Sequence, residues 1–272
     1  HGSLAVGARA VLLPEFEVNE VLDSIQKYEA TMFFGVPTMY NRLVQSPRAP
    51  EISQLRLCVS GSAPLAAELH QRIQAVSGQR VLERYGMTET AMLVSNPYEG
   101  ERRPGSVGFP LPGVEVLLKG EPPEILVKGP NVFEGYWERP EANSQAFDDG
   151  WFRTGDLGAL DADGYLSIVG RAKELIISGG FNVYPREVED VISQHEAIQE
   201  CAVVGEPDDE WGEAVVAFVV ADRDITDDEI KNFVGDRLSH YKRPRRTYRI
   251  GALPRNALGK VQKHRLQEQP II

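Results

Sequence analysis

Four short stretches carry side chains that could handle a phosphorylated ligand. The first is Arg84-Tyr85-Gly86-Met87-Thr88-Glu89-Thr90. A threonine hydroxyl can donate to a phosphate oxygen, and a tyrosine ring can stack on a purine. A glutamate can hold Mg²⁺, a hard cation that prefers oxygen ligands. The second is Gly150-Trp151-Phe152-Arg153-Thr154-Gly155-Asp156, where a carboxylate beside a glycine can accept both hydroxyls of a ribose. The third, Gly170-Arg171-Ala172-Lys173-Glu174-Leu175-Ile176-Ile177-Ser178-Gly179-Gly180, ends an apolar strand on a double glycine. Such a pair permits positive φ or close approach of the backbone to a ligand. The fourth, Pro254-Arg255-Asn256-Ala257-Leu258-Gly259-Lys260, presents a lysine on a glycine-containing loop. Taken singly, each has a plainer reading: a polar turn, a β-turn aspartate, a strand-to-loop turn and a solvated surface lysine.

The elements that must position these residues follow from the apolar pattern. Ala10 to Leu13, Thr31 to Val36, Leu55 to Val59 and Val81 to Tyr85 read as short buried strands. A helical face begins with Val18, Val21, Leu22 and Ile25. A second helix has Leu65, Leu69, Ile73 and Val76 on one side and stops at Gly78. Strand, helix and strand at this spacing predict parallel βαβ units. The first motif then falls where a strand ends and Gly86 turns the chain, at a strand's carboxyl end, where open α/β sheets bind ligands.

After about Asn96 proline and glycine become frequent and the segments between them, such as Val114 to Leu118 and Ile125 to Val127, are short and β-rich. A small, mostly antiparallel subdomain over about 97–170 is expected. From Lys173 a compact α/β lobe follows. It has a helix over Pro185 to Ile192 with proline in its first turn, and apolar strands at Cys201 to Val204 and Ala214 to Val220. A capping box, Thr226-Asp227-Asp228-Glu229, opens a helix with Ile230, Phe233, Val234 and Leu238 inside.

The bulk numbers exclude some classes. The chain of 272 residues is 42% hydrophobic and 25% charged, ordinary globular composition, and its formal net charge is −11. An acidic surface argues against general nucleic-acid binding, which runs on basic patches, although Lys242, Arg243, Arg245 and Arg246 cluster locally. The two cysteines, Cys58 and Cys201, lie far apart in apolar runs and are expected as buried reduced thiols of a cytoplasmic protein. No apolar run is long enough to span a bilayer. His1-Gly2-Ser3 could be a tag scar or the end of a longer segment.

In this order and at these separations, the four motifs resemble those of the adenylate-forming acyl-CoA synthetases, relatives of luciferase and of nonribosomal adenylation domains. The resemblance runs over nearly the whole chain. It implies an α/β fold in which residues 1–172 form the C-terminal part of the large AMP-binding domain and residues 173–272 form the lid, with Lys173 at the hinge. It implies ATP, Mg²⁺ and coenzyme A as cosubstrates. Ala63, Pro64, Glu83, Tyr85, Gly86 and Met87 would lie around the nucleotide, with Tyr85 on the adenine. Thr88 would contact phosphate and Glu89 the metal. Asp156 would bind the ribose hydroxyls, helped by Arg171. Lys260 would reach the carboxylate and the α-phosphate, and Gly179 and Gly180 would line the pantetheine tunnel.

Two arginines stand where many members of that family carry neutral residues. Arg84 precedes the tyrosine of the first motif, and Arg42 follows Gly35-Val36-Pro37-Thr38-Met39-Tyr40-Asn41. With Ser62 they resemble the set with which malonyl-CoA synthetases hold the distal carboxylate of malonate. A second carboxylate in a dry pocket needs fixed charge and hydrogen bonds. The plain alternatives are that Arg42 pairs with a surface acid and Arg84 with Glu83 or a phosphate. The acid is expected to be malonate or methylmalonate, with a fatty, aryl or other small acid as alternative. Loading of a carrier protein instead of CoA, or an inactive remnant, are the other readings. The family's Ser/Thr/Gly-rich phosphate loop does not occur in these 272 residues, and the stretches around residues 2–7 and 118–124 are short, so weak adenylation by this chain alone is expected.

Overall fold

The structure is a computed structural model and describes residues 5–256 and 259–267. Ala257 and Leu258 of the fourth motif, and the first residues His1-Gly2-Ser3, lie outside the described residues. The chain divides into two compact units, one of His1–Met87 with Val94–Phe109 and one of Thr88–Leu93 with Pro110–Ile272. The division does not fall at Lys173.

In the first unit, α1 (Val18–Lys27) buries Val21, Leu22 and Ile25, one face of a 3.6-residue period. β1 (Met32–Gly35) pairs parallel with β2 (Leu57–Ser60), and β2 pairs parallel with β3 (Leu82–Met87). The crossovers are α2 (Pro37–Gln45), with proline at its start, and α3 (Ala67–Ser77), ended by Gly78 at φ 72°. These are the expected parallel βαβ units. Their core gathers Leu22, Tyr40, Leu43, Ile52, Leu65 and Ile73, and the Tyr40 hydroxyl donates to the carbonyl of Val59 at 2.9 Å. β4 (Ala91–Ser95) and β5 (Phe109–Pro110) are the strands in which the chain crosses between the units.

Two expectations need correction here. Ala10 to Leu13 forms no strand, and Leu12 is 90% exposed. An apolar run becomes a strand only when a neighbour takes its hydrogen bonds, and none does so among the described residues. On α3 the buried stripe is His70, Ile73 and Ser77, while Val76 is 38% exposed. Leu65 and Ile73 of the expected face are buried and Leu69 packs against the same core, so Val76 alone of the four turns outward. Burial holds His70 below the usual imidazole range, and its Nε2 lies 3.1 Å from the carbonyl oxygen of Val81.

The second unit holds two sheets. The first is antiparallel, built from β6 (Glu115–Lys119), β7 (Glu124–Lys128), β8 (Phe147–Asp148), β9 (Trp151–Leu160) and β10 (Leu166–Arg171), with α4 (Pro140–Ala146) before β8. Its order is β10-β9-β7-β6, with β8 against β9. Ile125, Val127, Phe152, Leu157 and Leu166 are buried in it. It is the β-rich layer expected up to Gly170. The second sheet, in order β12-β11-β14-β13, has β11 (Ile176–Ser178) and β12 (Phe181–Val183) as one hairpin. α5 (Pro185–Ile192) precedes a second, longer hairpin of β13 (Ile198–Asp208) and β14 (Gly212–Ala221). α6 (Asp227–Gly235) leads to β15 (Arg246–Arg249), parallel to β14, and α7 (Lys263–Gln267) ends the described chain.

At the start of α6, Thr226 Oγ1 accepts the backbone N–H of Glu229 at 3.2 Å. The capping box is formed by half. The Glu229 carboxylate turns to Arg223 at 2.6 Å and His195 at 3.2 Å instead of back to Thr226. Leu238 lies beyond the helix end but packs against the same core. Thr226→Ala is expected to cost about 1 kcal/mol, read as a lowered denaturant midpoint at unchanged slope.

Both cysteines are free thiols. Cys58 is fully buried and Cys201 half-buried, and burial pushes each up to about 12. Among the described residues no helix is long and apolar enough to cross a membrane.

Candidate nucleotide and acyl-transfer site

In the first unit the loop after β2 is held in a costly conformation. Ser62 has φ 68°, a left-handed value that L side chains other than Asn and Asp seldom adopt. Such strain persists only where surrounding structure dictates it, and it collects at functional loops. The clamp comes from Glu83 on β3, which is 2% exposed and whose Oε1 accepts the N–H of Leu65 at 2.7 Å. Glu83 therefore fixes the segment Ser62-Ala63-Pro64 from below.

Arg84, the next residue on β3, reaches the same loop. A Cβ placed on Gly61 would stand 3.1 Å from Arg84 Nη1, so the absence of a side chain at 61 makes room for the guanidinium. Burial alone pushes Arg84 down from its ordinary value, and a guanidinium so placed keeps its charge at neutral pH. Arg84 thus lies against Gly61, the residue before Ser62. Arg42, on α2, is engaged elsewhere. Its Nη2 pairs with Glu17 at 2.9 Å, its Nη1 donates to the Phe16 carbonyl at 3.0 Å, and the group lies 5.0 Å from the Phe16 ring centre. Tyr85 is only 7% exposed.

The first motif departs from expectation in one respect. Gly86 does not turn the chain: β3 runs through it to Met87, where the first unit ends. The turn is Thr88-Glu89-Thr90, with Ala91 at φ 50°. In the second unit this turn is cradled by residues 131–136. Asn131 Nδ2 donates to the carbonyls of Thr90 at 2.6 Å and Met92 at 3.0 Å. Phe133 N–H donates to the Glu89 carbonyl at 2.8 Å, and the Tyr136 hydroxyl donates to Glu89 Oε1 at 3.0 Å. Burial and then the Glu89 carboxylate push the Tyr136 phenol up. Asn131 and Tyr136 were not singled out from the sequence, and the frequent aromatics of residues 133–137 are the only local signal.

Among the described residues no three metal-binding side chains form a cluster. That is compatible with Mg²⁺, which commonly takes one or two carboxylates and completes its shell with phosphate oxygens and water. Glu89 would be such a carboxylate, oriented through its other contacts by Tyr136.

Asp156 is not a turn residue. It lies within β9, 3% exposed, opposite Arg171 of β10 in the antiparallel register, and its Oδ1 lies 2.9 Å from Arg171 Nε. The pairing of strands places the second and third motifs side by side. Further along, Gly179 and Gly180, at φ 58° and 80°, form the two-residue turn between β11 and β12. A Cβ on Gly179 would come within 2.8 Å of the Trp211 ring, and the Gly179 N–H donates to the Trp211 carbonyl at 2.8 Å. Arg245 lies over that indole, 3.7 Å from its centre. The glycines therefore answer both reasons for glycine, left-handed backbone and close approach. Trp211 also escaped the sequence reading.

Lys173 sits in the 3₁₀ turn Ala172–Glu174 that links the two sheets of the second unit. Lys260 is exposed, and its backbone N–H donates to Asn256 Oδ1 at 3.0 Å. Of the basic cluster, Lys242 pairs with Glu187 at 2.6 Å and Arg246 with Glu206 at 2.9 Å.

The family profile described as AMP-binding enzyme matches residues 1–137, and that described as AMP-binding enzyme C-terminal domain matches residues 187–260. A long-chain-fatty-acid–CoA ligase of Bacillus subtilis is 39% identical over 98% of this chain and 50% of its own length. A malonate–CoA ligase of Arabidopsis thaliana is 39% identical over 88% of this chain and 44% of its own. The solved structure of ATP-bound MatB from Rhodopseudomonas palustris superposes with a TM-score of 0.92 at 44% identity, covering 98% of this chain and 56% of that one. The chain spans about half the length of the curated relatives it matches. With half of its residues under one profile and residues 187–260 under the companion profile, the chain belongs to the AMP-binding enzyme family.

Proposed function

We propose that this chain is the nucleotide-binding and lid portion of an AMP-forming acid–CoA ligase, and that its acid is malonate or methylmalonate. The observation that carries the ligase reading is Asp156, a carboxylate fixed within a strand and ion-paired to Arg171, a fixed ionised acceptor that a ribose diol could use. In this reading the acid's carboxylate attacks the α-phosphorus of ATP and pyrophosphate leaves. The thiol of CoA then attacks the acyl-adenylate carbonyl, and AMP leaves. Negative charge grows on the α-phosphate in the first step, and Lys260 with Mg²⁺ held by Glu89 would offset it. Thr88 would hold phosphate, and Gly179 and Gly180 would admit the pantetheine arm to the adenylate.

The dicarboxylate reading rests on Arg84, whose guanidinium lies against Gly61 beside the strained Ser62. A distal carboxylate there would gain charge-assisted hydrogen bonds. A second reading, a longer monocarboxylic acid, is favoured by Arg42, whose charge is spent on Glu17, and by the equal identity to the fatty-acid ligase. The Arg42–Glu17 pair is solvent-exposed, however, and such pairs yield easily to a better partner. Arg84→Ala is expected to lower kcat/KM for malonate by about 100-fold, two charged hydrogen bonds' worth, and to leave acetate nearly unchanged. Arg42→Ala should follow the same pattern more weakly. Equal losses on both acids would sink the dicarboxylate reading.

A further inference from the structure

Lys263 is an unusual lysine. It opens α7, three residues after Lys260, with a side chain only 20% exposed. Lysine is among the residues least often buried unless paired, and here it is paired twice. Its Nζ lies 2.7 Å from Glu189 Oε1 on α5 and 3.4 Å from Glu174 Oε2. Burial would lower its pKa, yet the two carboxylates more than offset that and hold it above the ordinary lysine value. Glu189 is itself fixed, since its Oε1 also accepts the N–H of Val203 on β13 at 2.7 Å.

The two partners belong to different places. Glu189 is part of the packed body of the C-terminal lobe. Glu174 closes the short turn that carries Lys173. On its other side Lys263 continues directly into the Lys260 loop, whose backbone is closed on itself. Arg255 and Val261 form a bridge, Asn256 N–H donates to the Lys260 carbonyl at 2.9 Å, and Arg255 Nη1 donates to the Gly259 carbonyl at 2.7 Å. A five-residue helix is too short to hold itself in water. Leu266, 1% exposed, and Gln267, which donates to the Gly205 carbonyl at 2.8 Å, anchor its far end, so Lys263 is the anchor at the near end.

We propose that Lys263 is a positioning residue: bridged to Glu189 and Glu174, it locks the loop of Lys260 to the turn of Lys173, so that loop and turn move as one body. The mechanistic meaning rests on the ligase reading, in which Lys260 serves adenylation and residue 173 is the pivot. A lid that swings about that pivot would then deliver Lys260 at a fixed radius, and the side chain's reach would not depend on a slack loop.

Backbone hydrogen exchange on the 272-residue chain tests this without substrate. In Lys263→Met the amides of Lys260 and Val261 should exchange about tenfold faster or more, because the loop loses its near anchor and two half-buried carboxylates are left uncompensated. The amides of β13 and β14 should keep their rates, and Lys263→Arg should restore the loop. Glu174→Gln, a milder change that leaves the Glu189 bridge, should speed the amides at Lys173 and Lys260 together. Unchanged loop rates, acceleration spread evenly through β13 and β14, failure of Arg to rescue, or acceleration at only one of the two lysines in Glu174→Gln would each overturn the proposal. Failure of the ligase reading would show separately, as an unsubstituted protein that does not bind AMP while the exchange pattern stands.

Discussion

Asp156→Ala is expected to weaken AMP binding by at least about 100-fold and to leave the second unit folded. Two hydrogen bonds from ribose hydroxyls to an ionised carboxylate contribute about 1.5–3 kcal/mol each, and each 1.4 kcal/mol is tenfold in affinity. The cost to the fold is small for a specific reason. Removing one partner of a buried ion pair is severe when the other charge is left in the dry interior, but the Arg171 side chain is 46% exposed and water can solvate it. Asp156→Asn separates charge from shape. It keeps one acceptor in place and should lose about tenfold, the difference between a charged and a neutral hydrogen bond. Calorimetric titration with AMP on the 272-residue chain measures both, with circular dichroism confirming that each variant is folded. An unchanged Kd in Asp156→Ala would remove the ribose role and with it the observation on which the ligase reading leans.

That pairing illustrates which parts of the molecule a sequence makes legible. Asp156 and Arg171 could be nominated one by one, because each sits in a motif, but the bond between them depends on the β9–β10 register. Local signals with a single strong physical cause held. Gly78 ends α3 in a left-handed conformation, Pro185 begins α5, and Thr226 caps α6. Signals that depend on a distant partner failed or were silent. The strand expected at Ala10 to Leu13 has no pairing neighbour among the described residues, and Val76, alone of the four apolar residues expected on one face of α3, turns outward. Gly86 looked like a turn because glycine often is one, yet the chain turns at Thr88-Glu89-Thr90, where no glycine or proline marks it. Tyr136 meets Glu89 from 47 residues away. Lys263, Glu174 and Glu189 meet only in three dimensions, and nothing in their spacing announces it. The capping box shows the intermediate case: its local half formed, and its Glu229 half was claimed by Arg223 and His195.

The largest effect on stability is expected at Gly108. It has φ 90°, and a Cβ there would stand 2.2 Å from the Ser95 carbonyl oxygen and 2.4 Å from the Asn96 nitrogen. Both are backbone atoms, so no side chain can swing aside. Asn96 cannot yield either. It is 2% exposed, its Nδ2 donates to the carbonyls of Glu83 at 3.1 Å and Ser106 at 2.6 Å, and its Oδ1 accepts the N–H of Arg103 at 3.0 Å. This asparagine ties β3, just upstream of Arg84, to the segment 103–108. Gly78 supplies the control. It is also left-handed, at φ 72°, but a Cβ there meets nothing within 4 Å. Gly78→Ala therefore carries the backbone penalty alone, about 1–2 kcal/mol. Gly108→Ala carries that penalty plus a displaced strand and strained hydrogen bonds, and should exceed about 3 kcal/mol, the range reserved for broken buried networks. At roughly 4–8 °C per kcal/mol for a unit of about 100 residues, the thermal midpoint of the first unit should fall by about 15 °C or more in Gly108→Ala and by about half that or less in Gly78→Ala. Equal shifts in the two variants would mean that the close approach at Gly108 relaxes freely, and that Asn96 does not hold β3 where Glu83 and Arg84 need it.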